Sequence, residues 1–294
     1  MKISVMNTPD VTPVPEKESP VHQEKDVQYC RFGYRVNEIE HHYPKNVHIL
    51  SDPFLMTHLT RLCSPDTYQP RVGELINTIY QNLVRIVINA EYPLVEVDSS
   101  TRMIEHTPQG RYRGNIIDPG AKTVVVNIAR AGTVPAQICY TAFNYILDPQ
   151  EVRQDHISMN RETDQDEQVT GVRVGGSKIG GPVEDAMVVF PDPMGATGGS
   201  LCRAVSIYKD DVPGVARKYV ALHLIVTPEY IRKMTETHPD VAIYAIRLDR
   251  GLSSPEVLSS VPGQNWDDEC GLNEHQYIVP GGGGFGEILN NSFV

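Results

Sequence analysis

The chain has 294 residues, a length that suits one large domain or two modest ones and can bury a sizeable core. Its 26 basic and 37 acidic residues give a net charge of −11, which argues against a nucleic-acid backbone as the main partner. With 40% hydrophobic and 21% charged residues it is not a wholly disordered chain, and its 23 glycines follow no Gly-X-Y period, so it is not collagen-like.

The first 20 residues turn to Pro, Asp, Glu and Lys without the apolar core of a secretory leader, and no run of 18 apolar residues follows anywhere. Five cysteines (Cys30, Cys63, Cys139, Cys202, Cys270) stand far apart and are odd in number, which gives neither a disulfide framework nor a zinc spacing. A reduced, cytoplasmic protein with no membrane or nucleic-acid partner is expected. Residues 1–45, rich in Pro, Glu, Lys and His, are expected to be a mobile extension or an oligomer arm, with the main domain at 46–294.

From Tyr68 to Ala90, apolar residues at Val72, Leu75, Ile76, Ile79, Leu83, Ile86 and Val87 predict an amphipathic helix. Lys122–Ile128 is short, continuous and β-branched, as a buried strand should be, and Val134–Ile146 follows at helical spacing. Strand Ala186–Phe190, helix Leu201–Tyr208, strand Lys218–Val226, helix Glu229–Glu236 and strand Val241–Arg247 continue the alternation. Such alternation implies an α/β fold, a mostly parallel central sheet flanked by helices on both faces. Ligands bind such sheets at the carboxyl ends of strands, so function is expected just after Ile128, Phe190 and Val226.

After Phe190 comes Pro191-Asp192-Pro193-Met194-Gly195-Ala196-Thr197-Gly198-Gly199-Ser200, and a helix opens at once. Glycines let the backbone wrap, successive N–H groups converge, and the helix start adds positive potential, which makes an anion cradle. Thr197 and Ser200 bring hydroxyls for phosphate oxygens, and Asp192 brings an acceptor for sugar hydroxyls or a metal.

This loop resembles the 5-phosphoribosyl-1-pyrophosphate (PRPP) loop of uracil phosphoribosyltransferases. Three further segments are similar to that family in the same order: Asn127–Gly132, Met159–Thr163, and Gly271–Gly281 (GLNEHQYIVPG). The resemblance implies a type I phosphoribosyltransferase fold. It implies transfer of the 5-phosphoribosyl group from PRPP to uracil or a similar base, giving UMP and diphosphate in pyrimidine salvage. It assigns Asp192 and Arg130 to catalysis, and PRPP contact to Arg130, Arg161, Asp192, Pro193, Met194, Gly195, Ala196, Thr197, Gly198, Gly199, Ser200 and Gly284. Uracil contact falls to Tyr277, Ile278, Gly283, Gly284 and Phe285. Magnesium is expected through the PRPP diphosphate rather than on a protein site, a homodimer or homotetramer is implied, and GTP enters as an effector of some family members. Glu274 and His275, which look like an acid/base pair, are read as structural.

Four departures accompany the likeness. The family pattern Pro-Gly-x-Gly-Asp-x-Gly-Asp is met by Pro280-Gly281-Gly282-Gly283-Gly284-Phe285-Gly286-Glu287, with glycine where the first, PRPP-contacting acid stands. Gly195 replaces a leucine, and Gly171–Gly181, the counterpart of a lid-like hairpin, has no aromatic residue. An insertion at about 253–269 carries Trp266, the single tryptophan, destined either for the site or for a partner surface. These departures keep a second reading open: a catalytically weak or inactive family member that binds PRPP or a nucleotide as a regulatory or assembly protein.

Overall fold

A computed structural model describes residues 25–163 and 169–292, the side chains of 160–163 and 169–172 excepted. The expectations for residues 1–24 lie outside the described residues. The chain divides into two compact units. The smaller takes residues up to Phe32 together with Glu96–Asn115. In it, Tyr29 meets Phe32 and Tyr112 edge-on, Asn115 donates to the Cys30 carbonyl (3.0 Å), and Asp98 pairs with Arg111 and Arg113.

The larger unit takes Gly33–Val95 and residues 116 onward. In chain order its elements and the hairpin are β1 (Val47–Ile49), α1 (Pro53–Leu62), α2 (Arg71–Glu91), β2 (Leu94–Ser100), β3 (Arg111–Ile117), β4 (Thr123–Ala129) and α3 (Thr133–Asn144). Then come β5 (Val152–Thr163), β6 (Val169–Lys178), β7 (Met187–Pro191), β8 (Met194–Gly195), α4 (Gly199–Asp210), β9 (Lys218–Val226), α5 (Pro228–Thr237), β10 (Val241–Leu248), α6 (Pro255–Leu258) and α7 (Phe285–Ile288). Strands β2 and β3 pair only with each other, while the main sheet runs β1-β10-β9-β7-β4-β5-β6, with β8 on β9. All its pairs are parallel except β5 with β6.

Side-chain alternation along the strands explains the two covered faces. Val125 of β4 and Val189 of β7 join α1, α2 and α3 in one apolar cluster. Val124, Val126, Val188 and Phe190 point the other way, into a second cluster with α4 and α5. The strands are therefore apolar on both faces, and the continuous β-branched run of β4 follows from that burial. Helix α2 buries the whole stripe predicted for it, and Tyr80, Val84 and Ile88 besides. Thr227 and Asp52 cap α5 and α1, accepting from Tyr230 N and Leu55 N at 3.0 Å each.

Residues 33–45, assigned above to the extension, are built into the larger unit: Ile39 N donates to the Ile49 carbonyl (3.0 Å), and Tyr43 is 5% exposed. Tyr43 also meets the 253–269 insertion. Trp266 packs edge-on to Tyr43 with centroids 5.0 Å apart, its ring lies 5.0 Å from the Arg232 guanidinium, and its indole N–H donates to the Pro228 carbonyl (3.2 Å). The buried Glu269 carboxylate accepts from Arg250 and from Gly263 N (2.8 Å each) and from the Tyr43 hydroxyl. The C-terminal half of the insertion is thus tied into the fold through Tyr43, α5 and Arg250.

Candidate functional site

A cleft of about 410 Å3 opens where β4, β7 and β9 end. It is lined by the loop after β4 (Ala129–Ala131), the loop from β7 to α4, Tyr230 of α5, and the chain from Gln276 to Glu287. Two of the three places expected from the topology, after Ile128 and after Phe190, form its walls. The third, after Val226, supplies Thr227 and Tyr230, which act on the second wall.

That second wall is shaped by its register on β9. Pro191 pairs with Leu222 and Met194 with Ile225, so β7 and β8 lie on one line, interrupted at Asp192-Pro193, where Pro193 has no N–H to give. The loop's carbonyls turn back into the fold. Asp192 O accepts from His223 Nδ1 (2.6 Å), Pro193 O from Leu224 N (3.0 Å), Gly195 O from Thr227 N (3.1 Å) and Ala196 O from the Thr227 hydroxyl (2.7 Å). With the carbonyls so engaged, the amides of the first turn of α4, which no helix satisfies internally, join Thr197 and Ser200 in the lining of the cleft. Gly198 caps that turn at φ +80° and has no side chain to occupy it.

Behind the loop lies a buried chain of polar groups. A carbonyl can only accept, so His223 carries its proton on Nδ1, and its Nε2 accepts from the Tyr230 hydroxyl (2.6 Å). Burial pushes the imidazole down to about pKa 4 and the Tyr230 phenol well above its ordinary value. His223 is therefore a neutral strut between the loop and α5.

Of the residues assigned to PRPP contact, Arg130, Asp192, Met194, Gly284 and the run Ala196–Ser200 line the cleft. Pro193 and Gly195 do not; both are buried in the packing beneath it. A Cβ on Gly195 would stand 2.9 Å from Val226 Cγ1 and 3.0 Å from the Tyr230 ring. Glycine there is a packing requirement of β8 against β9 and α5. Arg161 lies on β5, in register with Val172, and its side chain is outside the described ones. The residues assigned to uracil, Tyr277, Ile278, Gly283, Gly284 and Phe285, all line the cleft. Glu274 and His275 form an exposed pair (3.5 Å) that does not.

Arg130 enters through a cis Ala129–Arg130 peptide; its Nη1 donates to Ser292 Oγ (3.0 Å) and its Nη2 lies 3.6 Å from Glu287 Oε1. The C-terminal wall hangs on a buried ion pair that the sequence did not reveal. Asp249, 1% exposed, binds Arg247 (2.5 and 2.8 Å) and accepts from Gly281 N (2.7 Å), while Arg247 donates to the Gly281 carbonyl (2.8 Å). Glu229 holds the start of this segment, accepting from Gly271 N (2.9 Å) and Leu272 N (3.2 Å). Gln276, also in the lining, sits at φ +61° and keeps a buried Oε1 that meets no hydrogen-bond partner among the described residues. No group of three His, Cys, Asp or Glu suited to a metal occurs among the described residues, and none of the described helices is long and apolar enough to cross a membrane.

The sequence model of a family described as uracil phosphoribosyltransferase matches residues 48–264. A uracil phosphoribosyltransferase of Streptococcus uberis is 30% identical over 241 residues, 82% of this chain and 96% of its own. One from Variovorax paradoxus is 28% identical over 244 residues, 83% and 97% of the two chains. Among solved structures, a protein from Aquifex aeolicus superposes with a TM-score of 0.64 at 21% identity, over 84% of this chain and 99% of its own, a likeness of fold.

Proposed function

The chain belongs to the uracil phosphoribosyltransferase family and has its type I phosphoribosyltransferase fold, and from that premise we propose that it transfers the 5-phosphoribosyl group of PRPP to uracil, giving UMP and diphosphate in cytoplasmic pyrimidine salvage. The observation that carries this reading is convergence: the helix start of α4, Arg130, and a glycine-rich segment whose Gln276 Oε1 has no hydrogen-bond partner among the described residues share one cleft.

The chemistry breaks the bond from ribose C1′ to the diphosphate oxygen and forms one from C1′ to uracil N1, which gives up its proton. Positive charge builds on the sugar and negative charge on the departing diphosphate. Preorganised donors aimed at that negative charge accelerate the step. The amides at Gly199 and Ser200, the hydroxyls of Thr197 and Ser200, and the Arg130 guanidinium are such donors in this reading. Because the loop's carbonyls are bonded into β9 and α5, these donors need little rearrangement on binding.

Uracil would lie against Ile278 and Phe285, its oxygens and N3–H read by the backbone of 277–285 and by Gln276 Oε1, an acceptor that meets no donor among the described residues. Mg2+ fits the site as a companion of the diphosphate. Asp192 offers a hard oxygen ligand at the cleft, and the ion would neutralise charge on the leaving group. Calorimetric titration with PRPP–Mg2+, then with uracil in the presence of diphosphate, tests the two halves of the site. Binding of both supports the reading and absence of PRPP binding refutes it. A homodimer or homotetramer belongs to the same proposal and is checked by light scattering.

A further inference from the structure

The carboxylate of Glu287 lies over Gly284. A Cβ at residue 284 would stand 2.0 Å from Glu287 Oε2 and 3.0 Å from its Cδ, so a larger residue there would require the Glu287 carboxylate to swing out of its observed position. The turn of α7 produces the approach. Glu287 N and Ile288 N donate to the Gly284 carbonyl (3.1 and 2.9 Å), and helical side chains lean toward the preceding turn. Phe285, 2% exposed, fixes that turn in the core.

Glu287 and Asp192 are the carboxylates lining the cleft, and they enter from opposite walls. With Asp192 already placed for a diphosphate-bound Mg2+, a second carboxylate gains nothing by facing a phosphate that has no cation between them. On PRPP, the hydrogen-bond donors are the two ribose hydroxyls; every phosphate oxygen is an acceptor or an anion. A carboxylate held over the floor of this cleft, with its second oxygen toward Arg130 (3.6 Å), is placed for those hydroxyls while it steers the guanidinium.

We propose that Glu287 is a ribose-binding residue of this site, accepting hydrogen bonds from the PRPP hydroxyls, and that Gly284 is the space it needs. The inference rests on the phosphoribosyl-transfer reading. The acid whose absence at 284 marked the sequence is, on this view, supplied by Glu287, three residues later.

PRPP–Mg2+ affinity and initial rates of UMP formation for the wild type, Glu287→Gln, Glu287→Ala, Gly284→Asp and the double variant Gly284→Asp/Glu287→Ala test it. Glu287→Gln is expected to weaken PRPP binding about ten- to a hundred-fold, the worth of a charged hydrogen bond, with the KM for uracil within about twofold. Gly284→Asp alone, which crowds a second carboxylate against Glu287, is expected to weaken PRPP as well. The double variant, with one carboxylate and room for it, is expected to recover to within about fivefold of wild type. Wild-type affinity in Glu287→Gln, or a double variant no better than Glu287→Ala, overturns the proposal and leaves the transferase reading standing. A wild-type protein that binds no PRPP overturns both.

Discussion

Lowering the pH from 7 to 5 protonates His223 in the unfolded chain and leaves it neutral in the folded protein, because burial holds its pKa at about 4 against an ordinary 6.5. Between those two values the unfolded state binds the extra proton, so stability falls as the pH falls and recovers as it rises through 6.5. The slope approaches about 1.4 kcal/mol per pH unit at its steepest and integrates to roughly 2 kcal/mol between pH 7 and 5. Carboxylate titration adds to acid sensitivity across the whole chain, so the comparison has to be with a variant at this one position. His223→Gln keeps an amide donor for the Asp192 carbonyl and an acceptor for the Tyr230 hydroxyl but does not titrate. Urea unfolding of both proteins at pH 7, 6 and 5 measures the difference. The wild type should lose about 2 kcal/mol more than the variant over this interval. Parallel losses would refute the neutral, buried strut and with it the account of how the β7–α4 loop is held.

Gly195→Leu drives a side chain into Val226 and the Tyr230 ring and should cost about 1–3 kcal/mol, seen as a lower Tm. Asp249→Ala leaves Arg247 without its buried partner and should cost about 3 kcal/mol, while raising the KM for uracil more than that for PRPP, because Gly281 loses one of its two ties. Trp266→Ala removes the contact with Tyr43 and Arg232 and should destabilise by about 2 kcal/mol in thermal unfolding, with both KM values unchanged.

Strands and helices whose patterns are long enough to carry a period were legible in the sequence. Helix α2 shows its stripe over 21 residues, and β4, β7, β9 and β10 show continuous apolar runs because both faces are covered. Strand β1 has three residues, too few for any period, and α1 buries only Leu55, Leu59 and Leu62. The β7–α4 wall was legible because a long glycine-rich string between a strand and a helix has few other uses, whereas the C-terminal wall was legible only through the family resemblance. The struts behind those walls were not. A partial signal existed for His223, a lone polar side chain inside the apolar run of β9 between Val220 and Val226. Nothing in the spacing of Asp249 and Gly281 joins them; the fold does. The two glycine departures were legible as differences but not in what surrounds them: Gly195 leaves room for Val226 and the Tyr230 ring, and a Cβ at 284 would meet the Glu287 carboxylate where it stands.

Incubation of the protein with PRPP–Mg2+ and isotopically labelled uracil, with UMP and diphosphate quantified together, tests the central claim most directly. Label should pass into UMP with one diphosphate released for each UMP formed, and only when PRPP is present. PRPP binding without transfer to uracil or any other pyrimidine would contradict the transferase and leave a PRPP-binding member of the family in its place.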